Sequence, residues 1–487
     1  MDEDSSWQTV ADQLAAELTA LPPGARIPSQ RELVARFNVS ATTVARAVAT
    51  LRRRGLVESR PGAGSFRTAA SGAAGPPAAS IDTGWQDAAL GFSPTVGHDP
   101  TPVREHDAAA LGAMTARPTA DVVDLNGGYL HPDLQPRAQL GAALSRVARS
   151  KEGWAQPDRV GLPDLRDWFA TEIGGGLTRH DVLITAGGQA ALSVALRAIG
   201  RPGDPVVVET PTYPGTLAAA HGAGLRTIPV PVDGDGLQVD RVDRVLAQTG
   251  ARLVVVQPLY QNPTGATLAG ERRRRLVEVV VRHGAFLVED DFARYLDHGD
   301  PTAAPEPLAT IDPAGAVLHI RSLTKPTSPN LRVAALAARG PVMQRLRATH
   351  TVDTMFVPTL LQRTALEVVE GPGWTRARRE LAAALTQRRR TILDALGEYL
   401  PDLAADTRIA PGGYHAWLPL PPGVIDADAV AAALRAGVAV TPGRNYHAVG
   451  GTTGQLRLSY VAAASAADLV TGVRRLAGAL AADPRSR

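Results

Sequence analysis

The chain holds 51 basic side chains in 487 residues, and only two of them, Lys151 and Lys325, are lysines. Chemistry that needs a neutral amine as nucleophile therefore has two candidates, because the arginine guanidinium stays protonated. Lys325 lies in RSLTKPTSPNLR, between the apolar runs VLHI and VAALAA, whereas Lys151, in SRVARSKEGW, has the polar surroundings of a helix end. An amine that condenses with a carbonyl on an anionic, electron-withdrawing ring needs a phosphate cradle nearby and an acid facing a ring nitrogen. Ser322 and Arg332, flanking Lys325, are natural phosphate ligands. Gly188 and Gln189 open a helix after a Gly-rich turn in ITAGGQAALSVALRAI, where backbone N–H groups hold anions. VEDD (Val288–Asp291) ends a buried strand with adjacent acids, Asp290 among them, suited to a pyridine nitrogen. Asn262, in QNPTG, can donate to a phenolate oxygen. Tyr213, in ETPTYPGT, can stack on a flat ring, and Arg457, in QLRLSY, can clamp a carboxylate. Each has an ordinary alternative: a plain βα turn, a helix cap or magnesium ligand, an Asn-Pro turn, a packing tyrosine, a surface arginine. The chain has no cysteine, which excludes disulfides, thiolate nucleophiles and cysteine-ligated metals.

Positioning these residues falls to a domain in which short β-branched runs alternate with amphipathic helical segments from about residue 120 onward. DVLIT, PVVVET, LVVVQPL and AFLVEDD are the clearest runs, and their alternation with helices predicts an α/β domain with a mostly parallel sheet. Hydrophobic content of 44 % and charged content of 20 % supply ample core. Length alone suggests two to four domains of roughly 100–200 residues. The scarcity of lysine beside abundant Ala, Gly, Pro and Arg reads as codon bias of a GC-rich genome. No apolar run approaches the ~20 residues of a membrane span, and MDEDSSWQTV is too acidic for a signal peptide. A cytoplasmic chain without membrane contact is expected.

The small net charge of +3 hides an asymmetry. Residues 26–67 hold nine arginines against two acids, a net of +7, so the remainder sums to −4. Val10, Leu14 and Leu18 recur at helical spacing within residues 7–20 before Pro22, Pro23 and Gly24. Ser29-Gln30-Arg31-Glu32 matches a capping box opening a second helix with Leu33 and Phe37 on one face. Ser40 can cap a third helix, ATTVARAVATLRRRG, ended by Gly55. Two short strands, LVESR and GSFRT, flank Pro61-Gly62-Ala63-Gly64. Three helices and a two-stranded wing make a winged helix-turn-helix, with the motif's second helix entering the major groove. Residues 68–115, rich in Ala, Gly, Pro, Ser and Thr, read as a flexible linker.

The run IPSQRELVARFNVSATTVARAVATLRRRGLVESRPGAGSF makes residues 7–67 resemble the GntR-type DNA-binding domain nearly without gaps. The resemblance implies that Ser29 and Arg31 meet phosphates, that Ser40, Thr42, Thr43 and Arg46 belong to the groove-facing helix and its cap, and that Arg60 and the Gly62–Gly64 tip approach the minor groove or backbone. Ala41 stands where family members commonly have Arg, which alters the expected operator contacts. Residues 120–475 resemble the fold-type I aminotransferases that use pyridoxal 5′-phosphate, on seven segments in the correct order. The resemblance makes Lys325 the Schiff-base lysine, pairs Asp290 with the pyridine nitrogen and bonds Asn262 to the ring hydroxyl. Tyr213 stacks; Gly188, Gln189, Ser322 and Arg332 hold the phosphate; Arg457 receives a carboxylate. Trp154, in WAQPDRVGLPDLR, resembles the aromatic residue that reaches a neighbouring subunit's cofactor.

A winged helix-turn-helix over 1–67, a linker over 68–115 and an aminotransferase-like domain over 116–487, with a small C-terminal α/β subdomain from about 380, is the MocR architecture of bacterial regulators. It implies a head-to-tail homodimer that reads operator DNA and senses a small amino compound. Two departures stand out. Phe292 replaces the usual tyrosine, so a phenolic donor to the cofactor is missing. Thr324 replaces the usual serine before the lysine, and Pro326 restricts the local geometry. Cofactor binding with slow or absent transamination is the expectation, with an active aminotransferase carrying a DNA-binding domain as the alternative.

Overall fold

The computed structural model describes residues 3–22, 24–37, 39–53, 56–60, 64–68, 104, 106–299, 304–449 and 454–482. The chain divides into two compact units, Met1–His98 and Asp99–Arg487. Most of the expected linker, residues 69–103 and 105, lies outside the described residues, as do Gly55, Gly62 and the side chains of Arg31, Thr42 and Arg60.

In the first unit, helices α1 (Glu3–Ala20), α2 (Gln30–Phe37) and α3 (Ala41–Arg53) precede strands β1 (Val57–Arg60) and β2 (Gly64–Arg67). Helix α1 starts earlier than the apolar spacing predicts. Leu14, Leu18, Ile27, Leu33, Val44, Leu51 and Val57 close a core between the helices and β1. The capping box forms: Ser29 Oγ accepts from the Glu32 N–H at 3.3 Å, and the Glu32 carboxylate accepts from the Ser29 N–H at 2.7 Å. Ser40 Oγ likewise accepts from the Thr43 N–H at 3.1 Å, capping α3. The strands pair antiparallel, Val57 opposite Arg67 and Arg60 opposite Gly64.

The second unit is built on an eight-stranded sheet. Its strands are β3 (Val182–Thr185), β4 (Pro205–Thr210), β5 (Arg226–Asp233), β6 (Gly236–Leu237), β7 (Leu253–Val256), β8 (Phe286–Asp290), β9 (Val317–Ser322) and β10 (Ala334–Ala337). The spatial order is β3-β10-β9-β8-β7-β4-β5-β6. β9, β8, β7, β4 and β5 run parallel to one another, while β10 is antiparallel to both β9 and β3. Both faces are buried, which is why the strands read as continuous apolar runs: Val206 and Val208 pack into one core and Val207 into the other.

A smaller lobe follows, with the long helix α4 (Trp374–Tyr399) against α5 (Ala466–Ala481). Its sheet holds β11 (Arg408–Ile409), β12 (His415–Pro419), β13 (Thr441–Pro442) and β14 (Gln455–Ser459), in the antiparallel order β11-β12-β14-β13. Among the described residues, no helix is long and apolar enough to cross a membrane.

Candidate functional site

Open α/β sheets bind ligands beyond the carboxyl ends of their strands, and this sheet follows the rule. Gly188 and Gln189 follow β3, Tyr213 follows β4, Asn262 lies after β7, Asp290 ends β8 and Lys325 follows β9. Arg332 precedes the antiparallel β10 and so reaches the same edge. Gly188, Gln189 and Tyr213 line one pocket together with Asp290, Ser322, Lys325 and Arg332. Tyr129, Leu192, Phe292 and Thr324 complete its wall.

One end of this pocket is built for an anion. Gly188 opens a helix of 12 residues whose preceding residue, Gly187, offers no side-chain cap, so the first N–H groups are free to bind. Gly187 has φ of 89°, and a Cβ there would lie 2.8 Å from the Arg332 guanidinium, so a glycine is required on two counts. Arg332 itself is held at φ of 49°, an uncommon conformation for a side chain of its size, and it donates to the Ala186 carbonyl at 2.8 Å. Ser322 faces Gly188, with 3.7 Å between the serine Cβ and a Cβ built on the glycine.

At the other end lies the Lys325 amine. It donates to the Gly128 carbonyl at 2.7 Å and sits 4.3 Å from the centre of the Tyr129 ring. Tyr414 Oη donates to the same carbonyl oxygen at 2.7 Å. Burial lowers the lysine's affinity for a proton, aided by Arg457 and Arg332 and opposed by Tyr129 and Asp290. Lys151, in contrast, is exposed. Asp290 accepts from Gln257 Nε2 at 2.7 Å, and burial raises its pKa to about 6. The neighbouring Asp291 points elsewhere: against the cost of burial, Arg294 and Arg321 hold it well below the carboxylate range. The Asn262 N–H donates to Gln257 Oε1 at 3.1 Å, while Asn262 Oδ1 is buried without a partner.

Behind Asp290, Glu209 is buried and accepts from the Gln257 N–H and from Gln261 Nε2, both at 3.2 Å. Burial raises its pKa to about 8. An acid whose folded pKa exceeds its unfolded value favours folding at low pH, and that contribution fades as pH rises from the unfolded towards the folded pKa. Glu209→Gln, which cannot titrate, is therefore expected to match the wild type near pH 4 and to be more stable by about 3 kcal/mol at pH 7. Unfolding free energies of the two proteins across pH 4–9 check this; a gap independent of pH would refute it.

Arg457, on β14, is fully buried. Its Nη2 donates to the Asn126 carbonyl, and to Thr441 Oγ1 at 3.1 Å, but Nε and Nη1 have no partner. A buried guanidinium with unmet donors is costly on its own and becomes favourable when an anion arrives. Sequence motifs pointed to Arg457 and Lys325 but not to Asn126, Gly128, Tyr129, Gln257, Tyr414 or Thr441. Of these, Gln257 lies in the run LVVVQPL and Thr441 in GVAVTPGRNY, a stretch that resembles the aminotransferase small domain; the others had no nearby signal. In the first unit, Arg46 is exposed and its guanidinium lies 5.1 Å from the Trp7 ring centre.

Residues 121–476 match the family described as aminotransferase class I and II, and residues 7–66 match the gntR family of bacterial regulatory proteins. A 2-aminoadipate transaminase of Thermus thermophilus is 31 % identical over 371 residues, covering 75 % of this chain and 91 % of that protein. An uncharacterized HTH-type transcriptional regulator of Bacillus subtilis, YdfD, is 27 % identical over 460 residues, covering 93 % and 92 %. The crystal structure of LysN, the α-aminoadipate aminotransferase of Thermus thermophilus complexed with N-(5′-phosphopyridoxyl)-L-leucine, aligns with a TM-score of 0.69 at 29 % identity, over 76 % of this chain and 96 % of that one. The residues present fit pyridoxal phosphate: a glycine cradle with Arg332 for the phosphate, a buried carboxylate at the far wall, and a desolvated lysine. The chain belongs to the class I and II aminotransferase family and carries a gntR-type head, the architecture of the MocR-type, pyridoxal phosphate-dependent transcription regulators.

Proposed function

We propose that the second unit is a receptor for a carboxylate-bearing amino compound, which displaces Lys325 from the cofactor and thereby changes how the head engages DNA. The observation that carries this reading is the pairing, at one site, of a desolvated Lys325 amine with a buried Arg457 whose Nε and Nη1 are unpaired. Bound pyridoxal phosphate supplies an electrophilic carbon and an electron-withdrawing ring. The chain does the rest. Gly188, Gln189, Ser322 and Arg332 anchor the phosphate; Asp290, oriented by Gln257, faces the ring nitrogen and favours its protonated form. Asn262 bonds the ring hydroxyl and Tyr213 stacks. Lys325, once displaced, has a ready partner in the Gly128 carbonyl.

Phe292 puts an apolar ring where a phenolic hydroxyl would assist proton transfer, which supports binding and exchange without rapid turnover. In the head, Ser29, Arg31, Ser40, Thr42, Thr43, Arg46, Arg60, Gly62 and Gly64 contact the operator. Two copies assemble head to tail. Trp154, Val352 and Met355, exposed by 69, 81 and 61 %, are the apolar side chains that such an assembly would cover.

The test is a spectral titration of cofactor-loaded protein with amino acids, run beside DNA binding to its own upstream region at stated salt. Ligand that shifts the spectrum is expected to change DNA affinity, and DNA to change ligand affinity by the same factor. Spectral saturation with no change in DNA affinity would sink the coupling. Sustained multiple turnovers with an amino acid and a keto acid would favour the aminotransferase reading instead, which the 31 % identical transaminase supports.

A further inference from the structure

On the sheet face that carries Arg457, a second group is left without partners. His415 and Ser459 stand directly opposite each other on β12 and β14, two residues along from the Trp417–Arg457 pair, so all four side chains project from one face. His415 and Ser459 are buried, at 4 and 0 % exposure. Neither imidazole nitrogen has a hydrogen-bond partner, and the serine hydroxyl has none either. Buried polar groups are nearly always paired. Three unpaired atoms here, next to the two on Arg457, concentrate unmet bonding capacity at one place. The His415 ring centre lies 6.4 Å from that of Phe292, which lines the Lys325 pocket, and 4.3 Å from that of Tyr414, which shares the Gly128 carbonyl with the Lys325 amine.

Resting on the reading that this site takes an amino compound, we propose that His415, backed by Ser459, completes the carboxylate receptor begun by Arg457. The ligand class is then an α-amino acid, held through its carboxylate by a guanidinium and an imidazole, and plain amines are discriminated against. Burial, followed by the fields of Arg457 and Lys325, keeps the imidazole neutral, with one donor and one acceptor. A neutral donor is what this position needs. It adds a directed hydrogen bond to the carboxylate without placing another cation beside the Lys325 amine, and Ser459 can satisfy the second ring nitrogen.

Cofactor-loaded wild type, His415→Phe and Ser459→Ala are titrated by visible spectrum with L-alanine and, separately, with methylamine. His415→Phe is expected to weaken L-alanine roughly tenfold, the loss of one hydrogen bond to a charged group, while methylamine stays within about twofold. Ser459→Ala is expected to give a smaller loss in the same direction. Phenylalanine keeps a flat ring of slightly larger size and removes buried polar atoms without partners, so the melting temperature should change little. His415→Gln, which retains a donor, should recover part of the affinity and serves as the measured variant if the phenylalanine protein does not fold. A merely structural histidine would move both ligands alike. Equal weakening of both ligands, or unchanged L-alanine affinity, overturns the proposal. A wild-type spectrum indifferent to both ligands overturns the amino-compound reading and this one with it.

Discussion

Lys325→Ala is expected to lose all covalently held cofactor: no visible absorption from a lysine-bound pyridoxal phosphate, and no labelled peptide after borohydride reduction. The effect should be complete because nothing replaces the amine. Lys151 is exposed, and arginine cannot act as a nucleophile, so Lys325→Arg should fail equally. The fold should survive, since the Gly128 carbonyl keeps its bond from Tyr414 at 2.7 Å. Cofactor should still bind reversibly, through the Arg332 cradle and Asp290, and wash out on dialysis. The ligand-dependent change in DNA affinity should vanish, while ligand-free DNA binding remains. Borohydride-fixed cofactor on any other residue would contradict the assignment.

Arg457→Met is expected to weaken amino-acid ligands by roughly 10²–10³-fold while leaving methylamine nearly unaffected. Breaking a buried charge pair by removing one partner costs about 3–5 kcal/mol, and the ligand's carboxylate would be left buried without its cation. Stability should move the other way. Two unpaired charged donors disappear from the core, offset by the bonds lost to the Asn126 carbonyl and Thr441, so the melting temperature should hold or rise. Arg457→Lys should fall between, because an ammonium is a point charge that cannot span the same set of acceptors. Spectral titrations with both ligands and a melting curve decide the matter; parallel loss of methylamine binding would show that Arg457 merely props the site.

For a tenfold change in DNA affinity, the ligand must distinguish the two states of the protein by about 1.4 kcal/mol. One buried ion pair broken or completed on ligand arrival suffices, whereas an exposed one does not. The +7 of residues 26–67 makes that change easiest to measure at moderate salt, where phosphate contacts do not saturate binding.

Much of the site was legible from the chain because the sheet is parallel. Each strand's carboxyl end is followed at once by the residue it presents: Gly188 after β3, Tyr213 after β4, Asp290 at the end of β8, Lys325 after β9. A local motif therefore names its own position, and the order of motifs along the chain predicts the fold. The capping box at Ser29 and Glu32 was legible for a similar reason, since its partners are three residues apart. The second layer was not. Gly128 meets Lys325 across 197 positions and Tyr414 across 286, and no periodicity carries such a pairing. His415 belongs to no motif named from the sequence. Only the packing of the small lobe against the large one turned its face, with Ser459 and Arg457, toward the lysine. Strands, helix caps and the order of motifs along the chain were legible in local sequence, because they depend on neighbours in the chain; the spatial order of the strands was not. Which groups stay buried without partners depends on what the fold brings together, and that arrangement points to the ligand.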